Sequence, residues 1–386
     1  MPQYGINIDP NNPANGTPTA GALGNLKADG LHWVRLVFNA EALGGLNLDQ
    51  VCQRYGQIID GYHSSNIGVL VVLNNQTVTG IAPWNRPLGP QWQAYIDRFR
   101  DVCTTIATAF RAKNNGKNLA YEIWNEQDGG LTFIEPEKFK ILLKAAADAI
   151  KAADPKAIRV SGGLFGSDPI AYMKICRDAN GRLPVDAIGV HPYTRFFINP
   201  ANMDVDLKKM YNTFFSLPLW ITEFNDGGVT PENYQVVSEK MNDYDKLLRN
   251  KLKGVVDVAI WYSWSDGMNP GFGMIDSGGN PKGRVFDAFF NAARQGRKTL
   301  PQPPPPVIPA GIGNGNHPPA NFTNQDVLNA FANVGGANFW ALIEQAGLGF
   351  LARIKRDERG QLYTGTPIAD LPNLTAQQKQ QLLAAL

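Results

Sequence analysis

Val69-Leu70-Val71-Val72-Leu73 is apolar at every position and rich in β-branched side chains. A strand can be apolar on both faces only where both faces are covered, which is the situation of a parallel strand between a core and packed helices. The flanking sequence has the matching form. Upstream, Leu48–His63 repeats apolar residues at three- and four-residue steps behind Asn47 and Asp49, both good capping types. Downstream, Gln91–Lys113 repeats the pattern. Further out, similar apolar runs occur at Tyr4–Ile8, Trp33–Phe38, Ala120–Trp124, Ile158–Ser161, Ala187–Val190, Leu219–Thr222 and Val256–Tyr262. Helical patterns separate them at Pro136–Ala153 (with Pro136 in the first turn), Asp168–Asp178, Val205–Phe215, Pro231–Leu252 and Val285–Arg294. A shorter, weaker one follows the first strand at Ala20–Asp29. Strict alternation of strand and helix implies a parallel sheet, and eight repeats in this length imply closure into a (β/α)8 TIM barrel of the α/β class. The first strand lacks the Gly-x-Gly-x-x-Gly turn of a dinucleotide fold.

The chain has 386 residues, enough for one barrel and a smaller module. Its formal net charge of +2, with no Lys/Arg-rich run, points away from a nucleic-acid partner. No apolar run reaches the length of a membrane span. The three cysteines, Cys52, Cys103 and Cys176, fit neither a zinc site nor a disulfide framework and read as buried free thiols. The amino terminus enters its first strand-like segment without a charged n-region, apolar h-region or cleavage site. Localisation is therefore undetermined from the sequence, with secretion or the cell surface left open.

Residues 1–298 are the expected barrel. Residues 299–320, including the polyproline run Pro301–Pro309, form a Pro/Gly-rich linker. Residues 321–386 show helical periodicity at Thr323–Gly347 and Leu374–Leu386 and are expected to form a small, mainly helical accessory domain.

Working residues of such a barrel lie at the carboxyl ends of its strands. Strand four ends Tyr121-Glu122-Ile123-Trp124-Asn125-Glu126 and strand seven ends Leu219-Trp220-Ile221-Thr222-Glu223-Phe224. Ending a buried strand in a carboxylate is unfavourable unless that group faces a polar site. Two such strands in one barrel point to a carboxylate pair across a shared mouth.

These two runs, YEIWNE and WITEF, resemble those of clan A glycoside hydrolases, with families five and thirty-nine the nearest comparisons. The resemblance spans the barrel from about Tyr4 to Arg297. It implies a retaining glycosidase working without cofactor or metal on a β-linked oligo- or polysaccharide, through a glycosyl-enzyme intermediate. Residue by residue, it implies Glu126 as general acid/base and Glu223 as nucleophile. It also implies Asn125 on the sugar 2-hydroxyl, Arg35 supporting the nucleophile, and Tyr193 of the His191-Pro192-Tyr193 run reaching the nucleophile. His191 matches the same motif and is expected among the substrate-binding residues. Trp261 and Trp264, in WYSWSD, fall where the family places an aromatic platform; two-residue periodicity allows only one of them that role. Trp84, Phe133, Phe196 and Phe197 lie in the loops after strands three, four and six and supply further aromatic faces.

Two departures stand out. Gln127 occupies the place of a proline that often follows the Asn-Glu pair, which removes no functional group. Strand three ends in Asn74-Asn75-Gln76, without the histidine common in family five. Glu122 is expected to be structural, pairing inside the barrel with Arg35 or Arg159. A metal-dependent hydrolase would need clustered histidines, whereas His32, His63, His191 and His317 are scattered. The competing readings are a non-catalytic carbohydrate-binding barrel and a cell-wall-glycan hydrolase or transglycosylase, the tail then touching the polymer or cell wall.

Overall fold

The computed structural model describes residues 2–11, 30–78, 89–114, 118–193, 200–225, 228–297, 355–356 and 362–363. Eight parallel strands close a barrel in sequence order. They are β1 (Gln3–Asn7), β2 (Trp33–Val37), β3 (Gly68–Leu73), β4 (Leu119–Ile123), β5 (Ile158–Leu164), β6 (Ala187–Val190), β7 (Leu219–Phe224) and β8 (Val256–Trp261). The described helices are α1 (Leu48–Ser64), α2 (Gly89–Phe110), α3 (Pro136–Ala153), α4 (Pro169–Ile175), α5 (Pro200–Thr213), α6 (Tyr234–Asn250) and α7 (Gly283–Arg297). Asn47 caps α1 through a reciprocal pair with Gln50, and Pro136 opens α3, as their sequence positions predict.

Most strand boundaries move by a residue or two, but β5 runs three residues past its expected end. Gly162 and Gly163 obscure it, because glycine has low strand propensity. The register slips there against β6, between Ser161 and Leu164. Such an irregularity re-aims backbone groups, here towards the site.

Two-residue periodicity sorts the barrel interior into layers. Trp33, Leu70, Ala120, Val160, Ala187, Trp220, Val258 and Ile260 form a buried apolar cluster of their own, with the Trp33 and Trp220 ring centroids 4.9 Å apart. Two residues further along their strands, Arg35, Glu122 and Thr222 also face inward and are buried, joined by Asn7 of β1. A dry floor thus sits directly beneath a polar layer. The alternate residues face the helices and form the main core, which includes Tyr121, Trp124, Ile221 and Trp261.

The chain divides into two compact units, Met1–Pro301 and Gln302–Leu386. In the second, the described residues are Lys355–Arg356 and Leu362–Tyr363, paired antiparallel. The expected helices at Ala20–Asp29, Thr323–Gly347 and Leu374–Leu386, the linker at 299–320, and Trp84, Phe196 and Phe197 lie outside the described residues. Cys52, Cys103 and Cys176 are buried free thiols, and burial pushes the Cys52 thiol up to about 12. No described helix is long and apolar enough to cross a membrane.

The floor carries a stability prediction. Trp220→Ala should lower unfolding free energy by about 3–5 kcal/mol, the range for deleting a large buried aromatic side chain, read as a lower urea midpoint.

Candidate active site

Glu126 lies just past the end of β4, and the chain bends sharply to put it there. Trp124 and Glu126 both have positive φ, at 77° and 49°, in the left-handed region that non-glycine residues avoid. Their surroundings hold them. The Trp124 amide donates to the Leu73 carbonyl (2.7 Å), and its indole N–H donates to the Thr132 carbonyl (2.8 Å). Its ring packs edge-on against Tyr95 and Phe99. The Thr132 hydroxyl donates to the Asn125 carbonyl at 2.6 Å, and the Glu126 amide donates to the Gly163 carbonyl at 3.0 Å. Gln127, at the usual proline position, is buried and donates from its amide to the Gly162 carbonyl at 2.9 Å. It thus ties this turn to β5 through a side-chain bond that proline lacks.

Glu223 extends from β7 and is 8% exposed. One carboxylate oxygen accepts from an Arg35 Nη1 hydrogen, and the other accepts from the Tyr193 hydroxyl at 2.6 Å. Burial opposes its charge. The fields of His191 and Arg35 and the hydrogen bonds from Tyr193 and Arg35 outweigh burial and hold the carboxyl below its usual range. Burial and the same Glu223 charge push the Tyr193 phenol well up, which keeps it a donor.

Arg35 is 2% exposed and joins the site together. Nε donates to Glu122 at 2.5 Å, Nη1 to Asn7 Oδ1 at 2.9 Å and to Glu223, and Nη2 to Asn125 Oδ1 at 2.8 Å. Glu122 therefore takes the first of its two expected partners; Arg159 pairs instead with Asp186, at 2.8 Å.

His191 departs from its expected place. It is 3% exposed and lies beneath Glu126, with Nδ1 2.9 Å from Glu126 Oε1 and Nε2 3.0 Å from Thr222 Oγ1. It touches Glu126 and does not line the cavity beside Glu223. Gly163 makes this possible: a Cβ there would fall 2.0 Å from His191 Nε2. Burial acts to lower the His191 pKa, yet Glu223 and the Glu126 hydrogen bond together carry it above the ordinary value.

The expected tryptophans are not in the mouth. Trp261 faces outward from β8, fully buried, edge-on to Phe224 and to Phe289 of α7. Trp264 is 8% exposed and belongs to the main core. Among the described residues, the aromatic side chain lining the cavity is Tyr262, on the inward parity of β8 set by Val258 and Ile260. Strand parity was the signal that would have found it. Phe133 is exposed on the loop after β4.

Beside Glu223, Arg35 and Asn125 lies a cavity of about 330 Å³. Its wall from the β1, β2 and β3 ends carries Asp9, Asn11, Asn39, Asn74 and Gln76. Sequence reading missed these residues as a set, because each is a common loop type. Together they offer hydrogen-bond partners for a polyhydroxylated ligand.

The two catalytic candidates face each other: one oxygen of Glu126, one of Glu223 and a His191 nitrogen all lie within 4.8 Å of one another. This trio is close enough to hold a metal ion, but the Arg35 guanidinium bound to Glu223 opposes a cation there. The arrangement pairs an anionic carboxylate with a second carboxyl that can exchange a proton with an imidazole. A family model for cellulase (glycosyl hydrolase family 5) matches residues 4–267. The chain belongs to glycosyl hydrolase family 5. It is therefore an O-glycosyl hydrolase of clan A, a retaining clan.

No curated protein sequence matches the chain. Solved structures resemble it in fold. A family 5 lichenase from Caldicellulosiruptor sp. F32 has a TM-score of 0.58 at 16% identity, covering 75% of this chain and 93% of that one. A family 39 glycoside hydrolase from Bacteroides cellulosilyticus WH2 has a TM-score of 0.57 at 17% identity, with 75% and 63% covered. The exo-β-1,4-mannosidase Op5Man5 from Opitutaceae bacterium strain TAV5 has a TM-score of 0.56 at 15% identity, with 77% and 60% covered. This chain thus spans less than two thirds of the last two.

The donors on Glu223 set a pH prediction. A hydrogen bond donated to a carboxylate favours its charged form and holds its pKa down. Tyr193→Phe removes one such donor from the anion, so the Glu223 pKa rises. The acid limb of kcat/KM should move to higher pH, as read from a pH–rate profile.

Proposed function

We propose that the chain hydrolyses a β-linked oligo- or polysaccharide with retention of anomeric configuration. Glu223 attacks the anomeric carbon while Glu126 protonates the departing oxygen. Glu126 then acts as base on the water that opens the glycosyl-Glu223 ester. The observation that carries this reading is the approach of the two carboxylates to within 4.8 Å across the mouth. Retaining enzymes hold their carboxyl groups about 5–5.5 Å apart, whereas inverting enzymes leave about 6.5–9.5 Å for a water.

The neighbours of each glutamate support the division of roles. Arg35 and Tyr193 stabilise an anion on Glu223, while the imidazole beside Glu126 can accept or donate. Asn125 Oδ1 is held by Arg35 next to Glu223, which leaves its amide for a sugar hydroxyl. The matched exo-β-1,4-mannosidase is named for a β-linked glycan, which supports the same substrate class here. In this reading residues 1–298 are the catalytic domain, 299–320 a linker and 321–386 an accessory module contacting polymer or cell wall. The division of the chain near residue 301 supports it.

Glu223→Ala should abolish turnover, and added azide should restore a product of inverted configuration, read by proton NMR of the first-formed sugar. Lack of rescue in a folded variant would remove Glu223 from the nucleophile role. Glu126→Ala should slow glycosides with poor leaving groups by about 10²–10⁴-fold and spare activated aryl glycosides. Equal loss on both would refute the acid role.

A further inference from the structure

Glu122 precedes Glu126 by four residues, is fully buried and does not line the cavity. It is nevertheless connected to the reacting groups by a continuous chain of hydrogen bonds. Glu122 Oε2 accepts from Arg35 Nε at 2.5 Å. Glu122 Oε1 accepts from the Gly163 amide at 3.0 Å and from the Thr222 hydroxyl at 2.8 Å. Thr222 Oγ1 lies 3.0 Å from His191 Nε2, and His191 Nδ1 lies 2.9 Å from Glu126 Oε1.

Thr222 has one hydroxyl hydrogen and two acceptors within reach, Glu122 Oε1 and His191 Nε2. If that hydrogen pointed to Nε2, two lone pairs would face each other across the 2.8 Å contact with the Glu122 carboxylate. Pointed at the carboxylate, it makes a charge-assisted bond, roughly twice the strength of a neutral one. Thr222 Oγ1 is then left as an acceptor, and Nε2 must donate to it. With Nε2 committed, Nδ1 of the neutral ring presents a lone pair to Glu126.

We infer that Glu122 and Thr222 are positioning residues for the acid/base step: they fix the His191 tautomer so that Nδ1 shares a single proton with Glu126. The inference rests on the reading of Glu126 as acid/base and adds to it the source of its proton control. The β5 irregularity belongs to the same device. It aims the Gly163 amide at Glu122, and Gly163 leaves room for the His191 ring. Among the described residues, the other charged or titratable groups around His191 are Glu223, with Oε1 3.9 Å from Nε2, Arg35 beyond it, Asp128 on the loop after β4, and Tyr193, whose ring is edge-on at 6.1 Å. None of these contacts supplies an acceptor for Nε2 as close as Thr222.

If Glu122 served only as a counter-ion to Arg35, its loss would lower stability and leave the imidazole tautomer unchanged. The two roles separate in an NMR experiment on the full chain labelled with ¹⁵N-histidine, recorded above the imidazole titration range. The His191 signals are assigned by their loss in His191→Asn. The wild type should show the Nε2–H tautomer at His191. Thr222→Val should populate the Nδ1–H form, and Thr222→Ser should restore the wild-type pattern. Glu122→Ala removes the carboxylate that holds the Thr222 hydroxyl hydrogen, frees that hydrogen to turn towards Nε2, and should likewise favour Nδ1–H.

An Nδ1–H tautomer in the wild type, or unchanged ¹⁵N shifts in folded Thr222→Val and Glu122→Ala, would overturn the proposal. A kinetic arm uses phenyl and 2,4-dinitrophenyl β-cellobioside. Thr222→Val should slow the phenyl substrate at least about tenfold more than the dinitrophenyl one, as expected of impaired acid catalysis; equal slowing would count against the relay. If Glu126→Gln itself slows both substrates equally, it is the acid/base reading that falls, whatever the tautomer proves to be.

Discussion

A guanidinium buried between two carboxylates is the constraint from which the rest of this site follows. Arg35 is shut away from water with Glu122 on one edge and Glu223 on another. Removing three charges from water is unfavourable, and their mutual attraction compensates only when the geometry is good and the remaining hydrogen-bonding positions are filled. Here they are filled by groups from around the barrel: Asn7 from β1, Gly163 from β5, Thr222 from β7, and Asn125 and Tyr193 from the mouth. Removing one partner from such a cluster typically destabilises by about 3–5 kcal/mol, because a charge is left buried and unpaired. The barrel interior is therefore specified by polar bonding at this level and by packing one layer below.

The same constraint accounts for local strain. Residues in the left-handed region are each disfavoured by about 1–3 kcal/mol and persist where surrounding structure over-determines them. Trp124 and Glu126 are such residues. Their turn carries Asn125 back to the Arg35 guanidinium and Glu126 out over His191. The bonds from Trp124 to Leu73 and Thr132, and from Glu126 and Gln127 to β5, hold that conformation from both neighbouring strands.

What the sequence displayed, and what it hid, divides along physical lines. Runs apolar on both faces marked the strands, and a terminal carboxylate on two of them marked Glu126 and Glu223, because burial makes such an ending unfavourable without a site. Arg35, inside the run Trp33–Phe38, was legible only through the family resemblance, which set it beside the nucleophile. The platform was sought only between Trp261 and Trp264, the tryptophans the resemblance pointed to, and Tyr262 between them was passed over. Trp261 alternates with Val258 and Ile260 and so must face α7, while Tyr262 turns inward. His191 was assigned to the sugar because sequence places it at a strand end but says nothing of what lies above it. That depends on Gly163, a residue whose contribution is the absence of a side chain. Asp9, Asn11, Asn39, Asn74 and Gln76 converge only once β1, β2 and β3 are adjacent.

Two glutamates of identical chemistry thus acquire different roles through their neighbours. Donors that cannot lose their protons near neutral pH surround Glu223, so an anion is the form its site fits. Glu126 faces an imidazole, the one common side chain able to give or take a proton in that range. The neighbours themselves are coupled. Arg35 binds Glu223 directly and reaches Glu126 by two routes, through Asn125 in the chain and through Glu122, Thr222 and His191 in space. A change in charge at Glu223, such as forming an ester there, removes a partner from Arg35 and a negative charge 3.9 Å from the His191 ring. In the proposed mechanism Glu126 can therefore sense the state of Glu223 without any movement of the backbone.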